Sequence, residues 1–195
     1  MSRNSRLVRY GSRFLAMRPK YVTPAIVLAR TPLGEASALV TLLTADFGLV
    51  RARAQGVRKS GAKLSGALRT FSEADVHILY GKEGWRLSGA TQLDDHFSAL
   101  PPPARARAGR ISLLLLRLVR GEVKEPELFE AFKELLIRLK TGTDIEQDAA
   151  ECRAALRILS ALGLDAGDIP NATDVPADRR SIVARINKGI AASGL

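Results

Sequence analysis

Cysteine is almost absent from this chain: Cys152 stands alone among 195 residues. One thiol closes no disulfide within the chain and builds no cysteine-based zinc site. Histidine is nearly as scarce, with only His77 and His96, which also argues against a His-rich metal cluster. No apolar stretch approaches the roughly 20 residues of a membrane-spanning helix, so no transmembrane segment is expected. The common catalytic signatures are missing too. Between Gly56 and Lys63 there is no closing Gly-Lys-Ser/Thr order of a nucleotide-binding loop, and neither G-x-S-x-G nor H-E-x-x-H occurs. With no assembled acid, base, nucleophile and metal set, a non-enzymatic function without cofactor or metal is expected.

What is present is a folded chain, 46% hydrophobic and 26% charged, with 30 Lys and Arg against 20 Asp and Glu. A net charge of +10 favours polyanionic partners. The surplus is uneven: residues 1–103 hold 15 basic and 7 acidic side chains, residues 104–195 hold 15 and 13. Two regions with different jobs are expected. Residues 1–20 contain six basic residues and no acid. They read as a basic N-terminal extension, disordered or added by an upstream start, although the composition overlaps with organellar transit peptides.

From residue 21 to about 100 the pattern is short strands broken by turns. Strands are expected at 23–30, 38–45, 49–55, 73–80 and 84–90, with turns at 31–34, 46–48 and 81–84. In 49–55 the alternation is clean, with Val50, Ala52 and Ala54 on one side and Arg51, Arg53 and Gln55 on the other. Five short strands suit a small barrel, because closure removes edges. Pro101-Pro102-Pro103 reads as a semi-rigid spacer. After it the periodicity becomes helical, at 105–120 (apolar on nearly every face, hence a buried central helix), 126–140, 144–163 and around Ile182–Ile190. Pro126 starts the second of these, and Asp144-Ile145-Glu146-Gln147 looks like a capping box for the third.

The most basic stretch is 56–71, with Arg58, Lys59, Lys63 and Arg69 among glycines and no acid. Beside the Arg51/Arg53 face it suits phosphate tracking. Asp94-Asp95-His96 reads as a cap for a short helix or a piece of the interdomain connection. His77 reads as a half-buried strand residue and Cys152 as a small core side chain. Of Trp85, Tyr80, Phe71 and Phe47, core packing is expected for most, with Trp85, beside Lys82 and Arg86, the one expected at the surface.

These blocks are familiar in order and spacing. EASALVTLLT at 35–44, Phe47-Gly48, GVRKS at 56–60, KLSG at 63–66 and LRTF at 68–71 resemble the N-terminal domain of the RecO family of recombination mediators, from about Tyr21 to Ala90. The helical region resembles that family more loosely. The resemblance implies an α+β, two-domain chain: a five-stranded OB-fold β-barrel over 21–100, then an all-α helical domain over 104–195. It implies DNA repair through binding of single- and double-stranded DNA, strand annealing, and help in loading RecA. The partners it implies are RecR and the C-terminal tail of the single-stranded-DNA-binding protein (SSB), with RecA indirect, in the bacterial cytoplasm at the nucleoid. Arg30, Arg51, Arg53, Arg58, Lys59, Lys63 and Arg69 fall at the family's basic barrel positions, and Lys82 and Arg86 are added to the expected DNA-contacting set. Arg105, Arg107 and Arg110 are expected to meet a partner. Many family members carry a four-cysteine zinc site near the segment 164–176, which holds no cysteine here. The chain is also expected to be shorter than its relatives at the C-terminus and longer at the N-terminus. Two alternatives stay open: an OB-fold RNA binder, and an SSB-tail adaptor without annealing activity.

Overall fold

The structure is a computed structural model that describes residues 19–55, 64–122 and 124–194. Five strands come first: β1 Lys20–Leu33, β2 Ser37–Thr44, β3 Gly48–Ala54, β4 Ser72–Gly81 and β5 Gly84–Asp95. A one-turn helix, α1 Leu64–Ala67, lies between β3 and β4. The strands pair around a ring in the order β1-β2-β3-β5-β4, and β1 pairs with β4 to close it. All pairings are antiparallel except β3 with β5. A closed ring of this order, with a helix between its third and fourth strands, is an OB fold.

Two separate sets of side chains leave the barrel wall. Ala25, Val27, Val40, Leu42, Val50, Ala52, Val76 and Ile78 fill the interior. On the outer face, Ile26, Leu28, Leu43, Leu49 and Phe71 join a second core that continues into the helices. A bulge in β1 between Val27 and Ala29 changes the inward–outward alternation within that strand. The backbone N–H of Phe71 donates to the Val27 carbonyl at 2.8 Å. Phe71 takes a φ of 62°, unusual for a bulky residue, with its ring packed against Phe97 and Phe132.

The helices are α2 His96–Ala99, α3 Pro102–Leu118, α4 Pro126–Thr141, α5 Asp144–Ala161 and α6 Val175–Ala192. The amphipathic face of α4 carries Leu128, Phe129, Phe132, Leu135, Leu136 and Leu139, all buried. It lies against the barrel's outer face, and Phe132 meets Phe71 at 5.9 Å between ring centres. Barrel and helices therefore share one continuous apolar core.

Several expectations are corrected. Pro102 and Pro103 are no spacer but the first residues of α3, where a missing N–H leaves no helical bond unmade. The same helix is not buried all round: Leu113 is 61% exposed, and burial is concentrated on Ala104, Ala108, Ile111, Ser112 and Leu115. Strand β1 runs on through Thr31-Pro32 to Leu33. Pro32 is tolerated because β4 pairs with β1 only as far as Ile26, leaving the later residues one strand neighbour. Strand β5 continues to Asp95 rather than stopping near Ala90. The cap of α5 is Thr143, one residue earlier than the sequence suggests: its hydroxyl accepts from the Glu146 N–H, and the Glu146 carboxylate accepts from the Thr143 N–H.

Candidate nucleic-acid interface

The alternation in β3 holds residue by residue, with Val50, Ala52 and Ala54 buried and Arg51 and Arg53 exposed. Parallel pairing sets Arg53 directly opposite Arg86 of β5. Like charges facing across a ladder cost stability unless an anion lies between them. Among the described residues a loose bridge from Arg53 to Glu83 at 3.6 Å is the one ion pair that offsets that charge, with both side chains open to water. Arg86 donates to the Gln55 side-chain oxygen at 3.2 Å. Among the described residues Arg51 forms no ion pair, and Lys82 lies in the β4–β5 turn. This corner carries cationic charge that the described acids leave largely uncompensated.

Other predicted residues are placed differently. Arg30 lies opposite Val40, which in turn faces Ala52. It thus shares the inward parity of those two and does not extend the Arg51/Arg53 row. The bulge in β1 is the cause. Arg69 pairs with Asp95 at 3.0 Å and with the Ser98 hydroxyl at 3.3 Å, bracing the start of α2. Arg58, Lys59 and Lys63 lie outside the described residues, as does most of the 1–20 extension. Trp85 is not the surface aromatic: it is 9% exposed, ringed by Tyr21, Phe47 and Tyr80, and donates its indole N–H to Glu122 at 2.5 Å. Tyr80 is the exposed one, at 54%.

The helical arginines act inside the fold. Arg107, with its side chain only 13% exposed, pairs with Asp144, Asp148 and Glu151, and Arg110 forks onto Glu151. Both fasten α3 to α5. Arg105 donates to the Phe97 carbonyl and stacks over its ring at 4.3 Å. Charge already spent on internal carboxylates offers little to an incoming acidic peptide.

The structure also brings in residues that sequence reasoning missed. A groove of about 790 Å³ runs between the β3 side of the barrel and the end of α3. Arg51, Arg53, Tyr80 and Trp85 line one side, and Arg117 and Arg120 the other. Arg117 and Arg120 form no ion pair among the described residues. Their spacing at a helix end marks them as surface residues, but only the docking of α3 aims them at the barrel.

A second polar cluster lies at the seam between barrel and helices. Buried Glu73 accepts from Lys133 at 2.6 Å and lies 3.4 Å from the Nε2 of His96. Asp94 accepts from Lys140 at 2.5 Å, a hydrogen bond that holds its carboxyl below the usual carboxylate range. Burial pushes the pKa of His96 down, and its Nδ1 has no hydrogen-bond partner among the described residues. Asp95 caps α2 by accepting from the Ser98 N–H. The acid–histidine cluster is thus a cap and a seam, in keeping with its sequence reading. Burial likewise raises the Cys152 thiol, which packs as a small core side chain. No helix among the described residues is long and apolar enough to cross a membrane.

By topology and site the chain falls in the class of OB-fold barrels joined to a helical bundle, with a basic outer face on the barrel. Residues 17–95 match the family described as Recombination protein O N terminal. A DNA repair protein RecO from Synechococcus elongatus is 38% identical over 131 residues, covering 67% of this chain and 49% of its own. One from Myxococcus xanthus is 35% identical over 122 residues, covering 62% and 50%. One from Acaryochloris marina is 28% identical over 150 residues, covering 76% and 51%. The chain belongs to the RecO family. It spans about half the length of the curated relatives it matches.

Proposed function

We propose that this chain is a DNA-binding recombination mediator in DNA repair. The observation that carries the reading is the arginine corner of β3 and β5, where Arg53 faces Arg86 with Arg51 beside them and little acid to neutralise them. In this reading the barrel binds single- and double-stranded DNA and the helices buttress it. Arg51, Arg53 and Arg86, with Lys82 at the neighbouring turn, neutralise phosphates on two strands and so lower the repulsion that opposes pairing. Arg58, Lys59 and Lys63 add further phosphate-neutralising charge in this reading. No covalent step is involved. Help in loading RecA onto SSB-coated strands, together with RecR and the SSB tail, follows from the family resemblance, as does a cytoplasmic setting.

The test is annealing of two complementary fluorescent oligonucleotides, naked and SSB-coated. The chain is expected to accelerate both. If about six phosphates are engaged, the log–log salt slope for single strands is about −4. Binding without acceleration, or a slope near −1, would overturn the mediator reading. RNA strands of matched sequence serve as competitors, since phosphate contacts alone do not separate the two sugars.

A further inference from the structure

The Arg117/Arg120 wall has no place in a barrel that binds DNA on its own, and the groove it closes is not merely basic. Tyr80, 54% exposed, and Leu33, 37% exposed, are large apolar side chains at its border. Tyr80 is held edge-on by Trp85 at 5.0 Å, and Glu122, from the segment after α3, fixes Trp85 in turn. One side of the groove thus offers a pre-oriented aromatic ring, while Arg51 on the barrel and Arg117 and Arg120 on the helix side lack ion-pair partners among the described residues. An apolar ring face next to phosphate-binding cations matches a nucleotide whose base is unstacked. A duplex keeps its base faces hidden and presents only phosphates at such a mouth. The volume, about 790 Å³, lies within the roughly 300–1,000 Å³ of clefts that hold small organic ligands.

We propose that this groove is a single-strand subsite. One unpaired base stacks on Tyr80, and the flanking phosphates are held by Arg51 from the barrel and by Arg117 and Arg120 from the end of α3. The inference rests on the nucleic-acid reading above and deepens it: the strand leaves the barrel and is gripped against the helical region. Trp85 is the chain's single tryptophan, so its emission reports directly on occupancy.

The experiment titrates the full chain with oligo-dT, an abasic strand of equal length and a duplex, following anisotropy and Trp85 emission together. Expected are a change in Trp85 emission with oligo-dT and weaker binding of the abasic strand. Tyr80→Ala should weaken oligo-dT roughly 5- to 100-fold, the usual worth of one stacked base, and leave the duplex unchanged. Tyr80→Phe, which keeps the ring, should restore binding. Arg117→Glu with Arg120→Glu should weaken oligo-dT and lower its salt slope by about 0.7 for each phosphate no longer engaged. If oligo-dT and the abasic strand bind alike with Trp85 emission unmoved, the subsite is overturned while the mediator reading stands. If no strand binds at all, both fall. Displacement of Trp85-reported binding by an acidic peptide but not by DNA would assign the groove to a peptide and overturn the subsite as well.

Discussion

Replacing Lys133 by Met tests whether the seam between barrel and helices is held by a specific buried pair. Lys133 projects from α4 to Glu73 at the start of β4, with Nζ 2.6 Å from Oε1. The Glu73 side chain is 8% exposed, and Lys133 is its near cationic contact, with the His96 ring farther off at 3.4 Å. Removing one member of a buried pair costs roughly 3–5 kcal/mol, because the other charge is left uncompensated. The Lys133 side chain is 34% exposed, however, and water can reach part of the vacated site. A discounted loss of about 2–3 kcal/mol is expected, or a fall in Tm of roughly 4–12 °C for a chain of this size. Urea unfolding at neutral pH measures it. The double variant Lys133→Met with Glu73→Leu should recover most of the loss, since an apolar pair leaves no stranded charge. A Lys133→Met loss under about 0.5 kcal/mol, or a double variant as unstable as the two singles added together, would refute the reasoning.

Two further outcomes follow from the same seam. His96 is held neutral by burial, while the unfolded chain protonates near its ordinary value, so stability is intact above about pH 6.5 and falls as the pH drops toward the lowered native pKa. The slope is at most about 1.4 kcal/mol per pH unit; Glu73, Asp94 and Lys140 face the ring, and His96→Gln should flatten urea-unfolding stability measured between pH 6.5 and 5, an unchanged slope contradicting the account. Phe132→Ala, at the joint with Phe71, should cost about 3–5 kcal/mol and lower a single shared melting transition followed by circular dichroism; helices that melt early while the barrel keeps its original transition would contradict a shared core.

Local chemistry is legible wherever neighbours in sequence decide the outcome. The Val50/Arg51 alternation and Pro126 opening α4 depend on backbone period and on near neighbours, whereas the cap of α5 reads one residue late because Thr143/Glu146 and Asp144/Gln147 both have the capping-box spacing. The prolines at 102 and 103 mislead because a helix start and a stiff spacer use the same residue. What sequence hides is set by docking. Arg107 and Arg110 look like free surface charge until α5 brings Asp148 and Glu151 to them. Charged neighbours suggest a surface place for Trp85, but Lys82 lies in the turn before the strand, and within β5 Trp85 and Arg86 point to opposite faces. A single-residue bulge in β1 sets Arg30 apart from the arginine row, and no residue type in that strand announces it. Arg117 and Arg120 face a partner wall only when α3 ends beside β3.

The central claim is that nucleic acid is held by the β3/β5 arginine corner and not by net charge spread over the molecule. Its most direct test compares two variants with the same change in charge. One carries Arg51→Glu and Arg53→Glu; the other carries Arg180→Glu and Lys188→Glu, exposed on α6, which packs on α5 away from the barrel. Oligonucleotide affinity is measured for both across a salt series, with unfolding curves confirming that each is folded. The account predicts that the barrel variant loses most of its affinity and that its salt slope falls toward zero by about 0.7 for each phosphate released, while the α6 variant binds nearly as the original chain does. Equal losses of affinity in the two variants would mean that the chain attracts polyanions with its whole surface, and would contradict the account.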